Sequence, residues 1–175
     1  MNVGKVFEGC IHKSIPDYAL LYRLPDSAQS FGGGENLRFS KKNPFDFLMW
    51  DSVAHILFAL ELKTVQGKSI SFERDKSNTG IIHLHQIEGL SKWSTYDGIV
   101  AGFIIEFRAV EKTIFIKISD FIELTNQIPK KSFRIEDLDK YEITYLQIPQ
   151  TKLRKNYRYD IDHFIKEIRI SEENK

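Results

Sequence analysis

The chain has 175 residues, 28% of them charged and 42% hydrophobic, proportions that exclude disordered and fibrous classes and suffice for one domain with its own core. A formal net charge of +1 excludes whole-molecule attraction to nucleic acid, so any such attraction has to come from local basic patches. The single Cys10 excludes an intrachain disulfide, no stretch is apolar for the length of a membrane span, and no secretory core opens the chain, so a cytoplasmic protein away from membranes is expected.

Val3, Phe7, Cys10, Ile11 and Ser14 recur at helical spacing until Pro16, which predicts a first helix carrying Glu8. Residues 19–24 read as a short strand. From Pro25 to Asn43 the chain becomes Gly-rich, and Gly32-Gly33-Gly34-Glu35-Asn36 lacks the Gly-Lys-Ser/Thr ending and the strand-to-helix setting of a phosphate cradle, leaving a connecting loop. Pro44 opens a strand over 45–50, and a turn near Asp51-Ser52 leads into a second over 55–64. The resulting antiparallel hairpin brings Asp46 back toward Glu61, with Leu57, Ala59, Glu61 and Lys63 on one face.

A helix over 83–96 presents Leu84, Ile87, Leu90 and Trp93, with Gln86 off that stripe. His83-x-His85 sits at its start, where two residues apart on a helix would point in different directions and not share a metal. Residues 99–107 are almost continuously apolar, as in a central strand covered on both faces. A further strand follows over 113–118, and Asp120 with Glu123 has capping-box spacing for a short helix. Beyond the polar Pro129-Lys130-Lys131, Ile161, Phe164, Ile165 and Ile168 predict a closing helix. The sum is a single α/β domain over 1–175, a mixed central sheet flanked by helices.

Asp46 and Glu61 are hard oxygen donors of the kind that hold Mg2+ while waters and a substrate phosphate complete the shell. Lys63, two residues beyond the Glu, can orient an attacking water or neutralise developing negative charge. Together these suit metal-dependent phosphodiester cleavage; a Glu-x-Lys pair suits a solvated strand end equally well, so the residues alone leave both readings open. Three basic groups are candidates for contact with DNA: Arg38 with Lys41 and Lys42; Lys130, Lys131 and Arg134; and Lys152, Arg154, Lys155 and Arg158, interleaved with Tyr157 and Tyr159. Each also reads as solvated surface.

In order along the chain, Phe7-Glu8, Arg38-Phe39, Asp46, Glu61-x-Lys63, Gly67-Lys68-Ser69-Ile70, His85-Gln86-Ile87 and Ala101-Gly102-Phe103-Ile104-Ile105 resemble the PD-(D/E)xK nuclease superfamily, and within it the RecU-like Holliday junction resolvases. The resemblance implies a restriction-endonuclease-like fold and a homodimeric enzyme that uses Mg2+, with Mn2+ as a substitute, to cut four-way DNA junctions in recombination and repair. It further implies that Asp46 and Glu61 ligate the metal, that Gln86 completes the shell, that Lys63 stabilises the transition state, and that Glu8 is an accessory acid. Pro44 stands where many such proteins have a hydroxyl residue, and the interval 25–43 is short where they carry a projecting stalk. Two rival readings are a nuclease of the same fold acting on linear or modified DNA, and a DNA-binding recombination partner that does not cut.

Overall fold

The computed structural model describes residues 2–25 and 43–174. Most of the Gly-rich interval lies outside the described residues, and Arg38, Lys41 and Lys42 with it. The first helix, α1 (Val3–His12), starts at Asn2, whose side-chain oxygen accepts the Gly4 N–H at 3.0 Å. β1 (Ala19–Arg23), β2 (Phe47–Asp51) and β3 (Ile56–Val65) form an antiparallel run. His55, in the turn between β2 and β3, takes a left-handed φ of 57°. After the short β4 (Ile70–Ser71), α2 (Leu84–Trp93) crosses to β5 (Ile99–Phe107), which pairs parallel to β3. That pairing needs the crossover, because two parallel strands cannot be joined by a tight turn.

β6 (Lys112–Lys117) then feeds into α3 (Ile118–Gln127), followed by β7 (Ser132–Phe133), α4 (Ile135–Lys140), β8 (Leu146–Ile148), a hairpin of β9 (Gln150–Lys152) and β10 (Tyr157–Tyr159), and α5 (Ile161–Glu173). The central sheet has six strands in the order β1-β2-β3-β5-β6-β8, and β4–β7 and β9–β10 are separate two-stranded pairs. This mixed sheet between helices is the expected restriction-endonuclease-like architecture.

Strand periodicity builds two cores. On β5, Ala101, Phe103, Ile105 and Phe107 face α2, α3 and α4, whereas Val100 and Ile104 face α1 and α5. Both faces of β5 are covered, which is why its sequence is apolar throughout. Gly102 is needed here because a Cβ would come within 2.3 Å of the Ile116 carbonyl oxygen on β6. α5 buries Phe164 completely, its ring 4.9 Å from Phe115 and 5.5 Å from Phe58; one such side chain contributes about 2–3 kcal/mol. At the far end of that helix Arg169 grips the fully buried Asp51 through two hydrogen bonds of 2.6 Å.

Three local expectations need correction. The helix expected over 83–96 begins at Leu84, with His83 as an extended N-cap. Asp120 does not cap α3: β6 runs straight into the helix with Lys117 at the cap, which puts Asp120 in the first turn. The strand expected from 45 starts at Phe47, and Phe45 instead packs edge-on against Trp93 with ring centres 5.0 Å apart.

Candidate active site

Phe47 on β2 pairs with Leu60 on β3, so the next position outward sets Asp46 beside Glu61. Just ahead of its strand, Asp46 is tied to the sheet by its carbonyl, which accepts the Leu24 N–H at 2.8 Å. Phe58, Leu60 and Leu62 enter the core under α1 and α5, while Ala59 and Val65 enter the other. Alternation therefore gives Glu61 and Lys63 the face covered by α2.

Glu61 is only 1% exposed. Its Oε1 lies 2.8 Å from Lys63 Nζ and accepts a hydrogen bond of 2.5 Å from Gln86 Nε2. Its Oε2 is buried with no hydrogen-bond donor. Burial pushes the Glu61 pKa up to about 7, against the pull of the Lys63 charge and with the help of the neighbouring Asp46. A buried oxygen without a donor, next to a second carboxylate that can only accept, is a position suited to a cation.

Gln86 is buried although it lies off the apolar stripe of its helix. Its Oε1 accepts the His83 N–H at 3.0 Å, closing the first turn of α2. That leaves the NH2 to meet Glu61; the opposite orientation would set donor against donor at His83 and acceptor against acceptor at Glu61. Helix and hairpin approach closely because of Gly89, where a Cβ would fall 2.4 Å from Pro44 Cβ and 2.7 Å from Pro44 O. Beside this contact runs a cleft of about 570 Å3 lined by Asn43, Pro44, His85, Glu88, Lys92 and Trp93, chain neighbours of Asp46 and Gln86.

Among the described residues no three His, Cys, Asp or Glu side chains converge where they could hold a metal. A divalent ion here would rest on the two carboxylates, and Mg2+ is commonly bound in that way. The hard-oxygen donors and the orphaned Glu61 oxygen fit it. Because the Gln86 carbonyl is engaged by His83, that side chain offers no third oxygen in this arrangement.

The other sequence candidates lie apart. Glu8 sits on α1, which covers the opposite face of the sheet, and pairs with Arg23 at 3.2 Å. Lys152 is 2.5 Å from Glu111, and Arg154 and Lys155 are exposed at the tip of the β9–β10 hairpin. Lys130 pairs with Asp137 and Lys131 contacts the Asn78 side chain. The rings of His83 and His85 do not diverge but stack, with centres 5.5 Å apart, because His83 precedes the helix with extended backbone. His83 Nδ1 is 2.8 Å from Glu73. Sequence reasoning passes over Glu73, since it lies in a polar loop and no spacing rule joins it to α2.

Residues 62–163 match the Recombination protein U family, RecU. The match includes Lys63 and Gln86 and starts one residue after Glu61, so Asp46 and Glu61 stand on their geometry. The chain is also 37% identical over 136 residues to the SPbeta prophage-derived uncharacterized protein YotM of Bacillus subtilis (strain 168), an alignment that covers 74% of this chain and 63% of that protein. It thus spans less than two thirds of that relative's length. With more than half of its residues matched, among them the lysine and the glutamine that both meet Glu61, the chain belongs to the Recombination protein U family.

Proposed function

We propose that the protein is a Mg2+-dependent endonuclease that cuts branched, four-way DNA as a homodimer in the cytoplasm, with Mn2+ able to replace Mg2+. The observation that carries this reading is Glu61 Oε2, buried without a donor beside Asp46 while Lys63 engages the other oxygen. A carboxylate kept buried at such cost is well explained if a cation belongs there. Asp46 and Glu61 supply the two negative oxygens that hold the ion. Gln86 fixes the orientation of Glu61, which differs from the direct ligation that the resemblance implies. When bound, Mg2+ would lower the pKa of an attacking water and stabilise charge on the phosphoryl oxygens. Lys63 offers an ammonium that can orient this water or neutralise the developing charge.

Membership in a family named for recombination supports a junction substrate, and a two-fold enzyme would match the two incisions it requires. Arg154 and Lys155, with Lys152 and, outside the described residues, Arg38, Lys41 and Lys42, are assigned to phosphate contacts. The test is cleavage of a synthetic four-way junction and of its linear duplex, each in Mg2+ and in EDTA, with light scattering of the protein and its complex. Cutting of the junction alone, by a dimer and only with metal, is expected. Equal cutting of both substrates would move the assignment to a general nuclease, and binding without cutting would remove the enzymatic role.

A further inference from the structure

We propose that Glu73 is a positioning residue for the acidic centre, acting through the start of α2 to hold the Gln86 amide against Glu61. The inference rests on the metal-site reading above and deepens it.

The observations form a continuous chain. Glu73 Oε1 lies 2.8 Å from His83 Nδ1 and accepts the Gly80 N–H at 3.4 Å, while its Oε2 accepts the Leu84 N–H at 2.8 Å. Leu84 is the first residue of α2, and its N–H is one of those that a helix cannot satisfy internally. His83 N–H, the preceding donor, goes to Gln86 Oε1 at 3.0 Å, and Gln86 Nε2 donates to Glu61 Oε1 at 2.5 Å. One carboxylate therefore fixes both the ring of His83 and the helix start, and the His83 backbone fixes which way Gln86 turns. The His83 hydrogen bond, followed by that from Leu84, holds the Glu73 pKa down at about 2, so the carboxylate stays charged across any working pH.

The loop carrying Glu73 is itself held. Glu73 N–H donates to the Ile82 carbonyl at 2.9 Å, and Ile81 and Ile82 both donate to the Ser71 carbonyl. At Gly80 a Cβ would come within 2.6 Å of the Phe72 carbonyl carbon, so only glycine lets the two legs cross this closely. A firm carboxylate facing a helix start transmits position, not merely stability. Without it the first turn of α2 loosens, the His83 N–H can leave Gln86, and the amide is free to rotate away from Glu61.

The test uses the whole metal-free protein. The side-chain NH2 resonances of Gln86 report the relay directly, and calorimetry with Ca2+, which should bind without supporting efficient cutting, reports its consequence. Glu73→Ala should move the Gln86 NH2 resonances toward those of a free amide and weaken Ca2+ affinity about 10-fold, the lower end for loss of a group that orients a metal ligand. Glu73→Gln, which retains an oxygen for Leu84 and guards against loss of fold, should do both to a smaller degree. In a Gln86→Ala background, Glu73→Ala should cost no further affinity, since the two residues act in one line. Unmoved Gln86 resonances in a folded Glu73→Ala protein would overturn the relay whatever the metal does, as would a full additional 10-fold loss in the Gln86→Ala background or a lowered melting temperature with unchanged affinity. Wild-type protein that binds no Ca2+ would instead overturn the metal reading, visibly so, because the resonance shift would persist.

Discussion

Replacing Glu61 by Gln separates the stability of the fold from its chemistry. In the metal-free protein the Glu61 pKa of about 7 stands above its ordinary value of 4.5, so between those values the folded chain keeps a proton that the unfolded chain releases. For an acid raised in this way the cost is absent below pH 4.5, grows through the window and is complete above pH 7. A difference of roughly 2.5 units, at about 1.36 kcal/mol each, amounts to about 3 kcal/mol. The amide of Glu61→Gln removes that cost but leaves Lys63 unpaired; at 15% exposure the ammonium recovers only part of its hydration. A net gain of about 1–3 kcal/mol at pH 8 is expected, or roughly 2–10 °C in melting temperature for a chain of this size. Melting in EDTA at pH 8 and pH 5 should show the variant above the wild type at pH 8 and the gap narrowing toward pH 5. Mg2+ should then raise the wild type alone, because an ion that binds only the folded state stabilises it by mass action, while the variant stays inactive on junction DNA. A Glu61→Gln protein that melts below wild type in EDTA at pH 8 would refute the picture of an uncompensated buried carboxylate.

Four further outcomes are expected. Lys63→Ala should leave Ca2+ affinity largely in place and lower the single-turnover cleavage rate by about 100-fold. Gly89→Ala, with no room against Pro44, should cost about 1–3 kcal/mol in urea unfolding and reduce cleavage by displacing Gln86. Arg169→Ala leaves Asp51 buried without its counter-cation, with only backbone donors such as the Val53 N–H, and should cost about 3 kcal/mol at neutral pH. Burial raises the Asp51 pKa, but the Arg169 and Val53 hydrogen bonds outweigh it and the net shift is downward, so this contribution is present above pH 3.8 and should vanish as pH falls below it. Replacing Lys152, Arg154 and Lys155 together should flatten the salt dependence of DNA binding by about two phosphate contacts, because Lys152 is already paired with Glu111; an unchanged slope would return the hairpin tip to plain solvated surface.

Where the sequence was informative, the cause was length and periodicity. α1, β5 and α5 each run long enough for apolar spacing to declare both element and buried face, and the β2–β3 hairpin followed from two apolar runs about a short turn. β8, β9 and β10 span three residues each and α4 six, too few to display a period. The parallel pairing of β3 with β5 was hidden as well, since it is a relation between distant segments. At the site, Asp46, Glu61 and Lys63 were legible because charge interrupts apolar strands there. Gln86 drew attention only through its family context: its burial makes sense once Glu61 is seen opposite it. Glu73 reaches α2 across a folded loop, a contact that neighbouring residues do not announce.

The charged pair on β3 also serves as a register mark. Glu61 and Lys63 alternate with Leu60 and Leu62, so pairing shifted by one residue would drive both charges into the layer of Phe7, Ile11 and Phe164 and lift the two leucines toward Gln86. Glu61 and Lys63 would keep only each other there, cut off from Gln86 and Asp46, and burying that pair in an apolar layer costs more than the slipped hydrogen bonds return. Mispaired sheets are thus selected against by the same side chains that the proposed chemistry uses, and a chain that has zipped β3 correctly has delivered Glu61 and Lys63 to the candidate site in the same event.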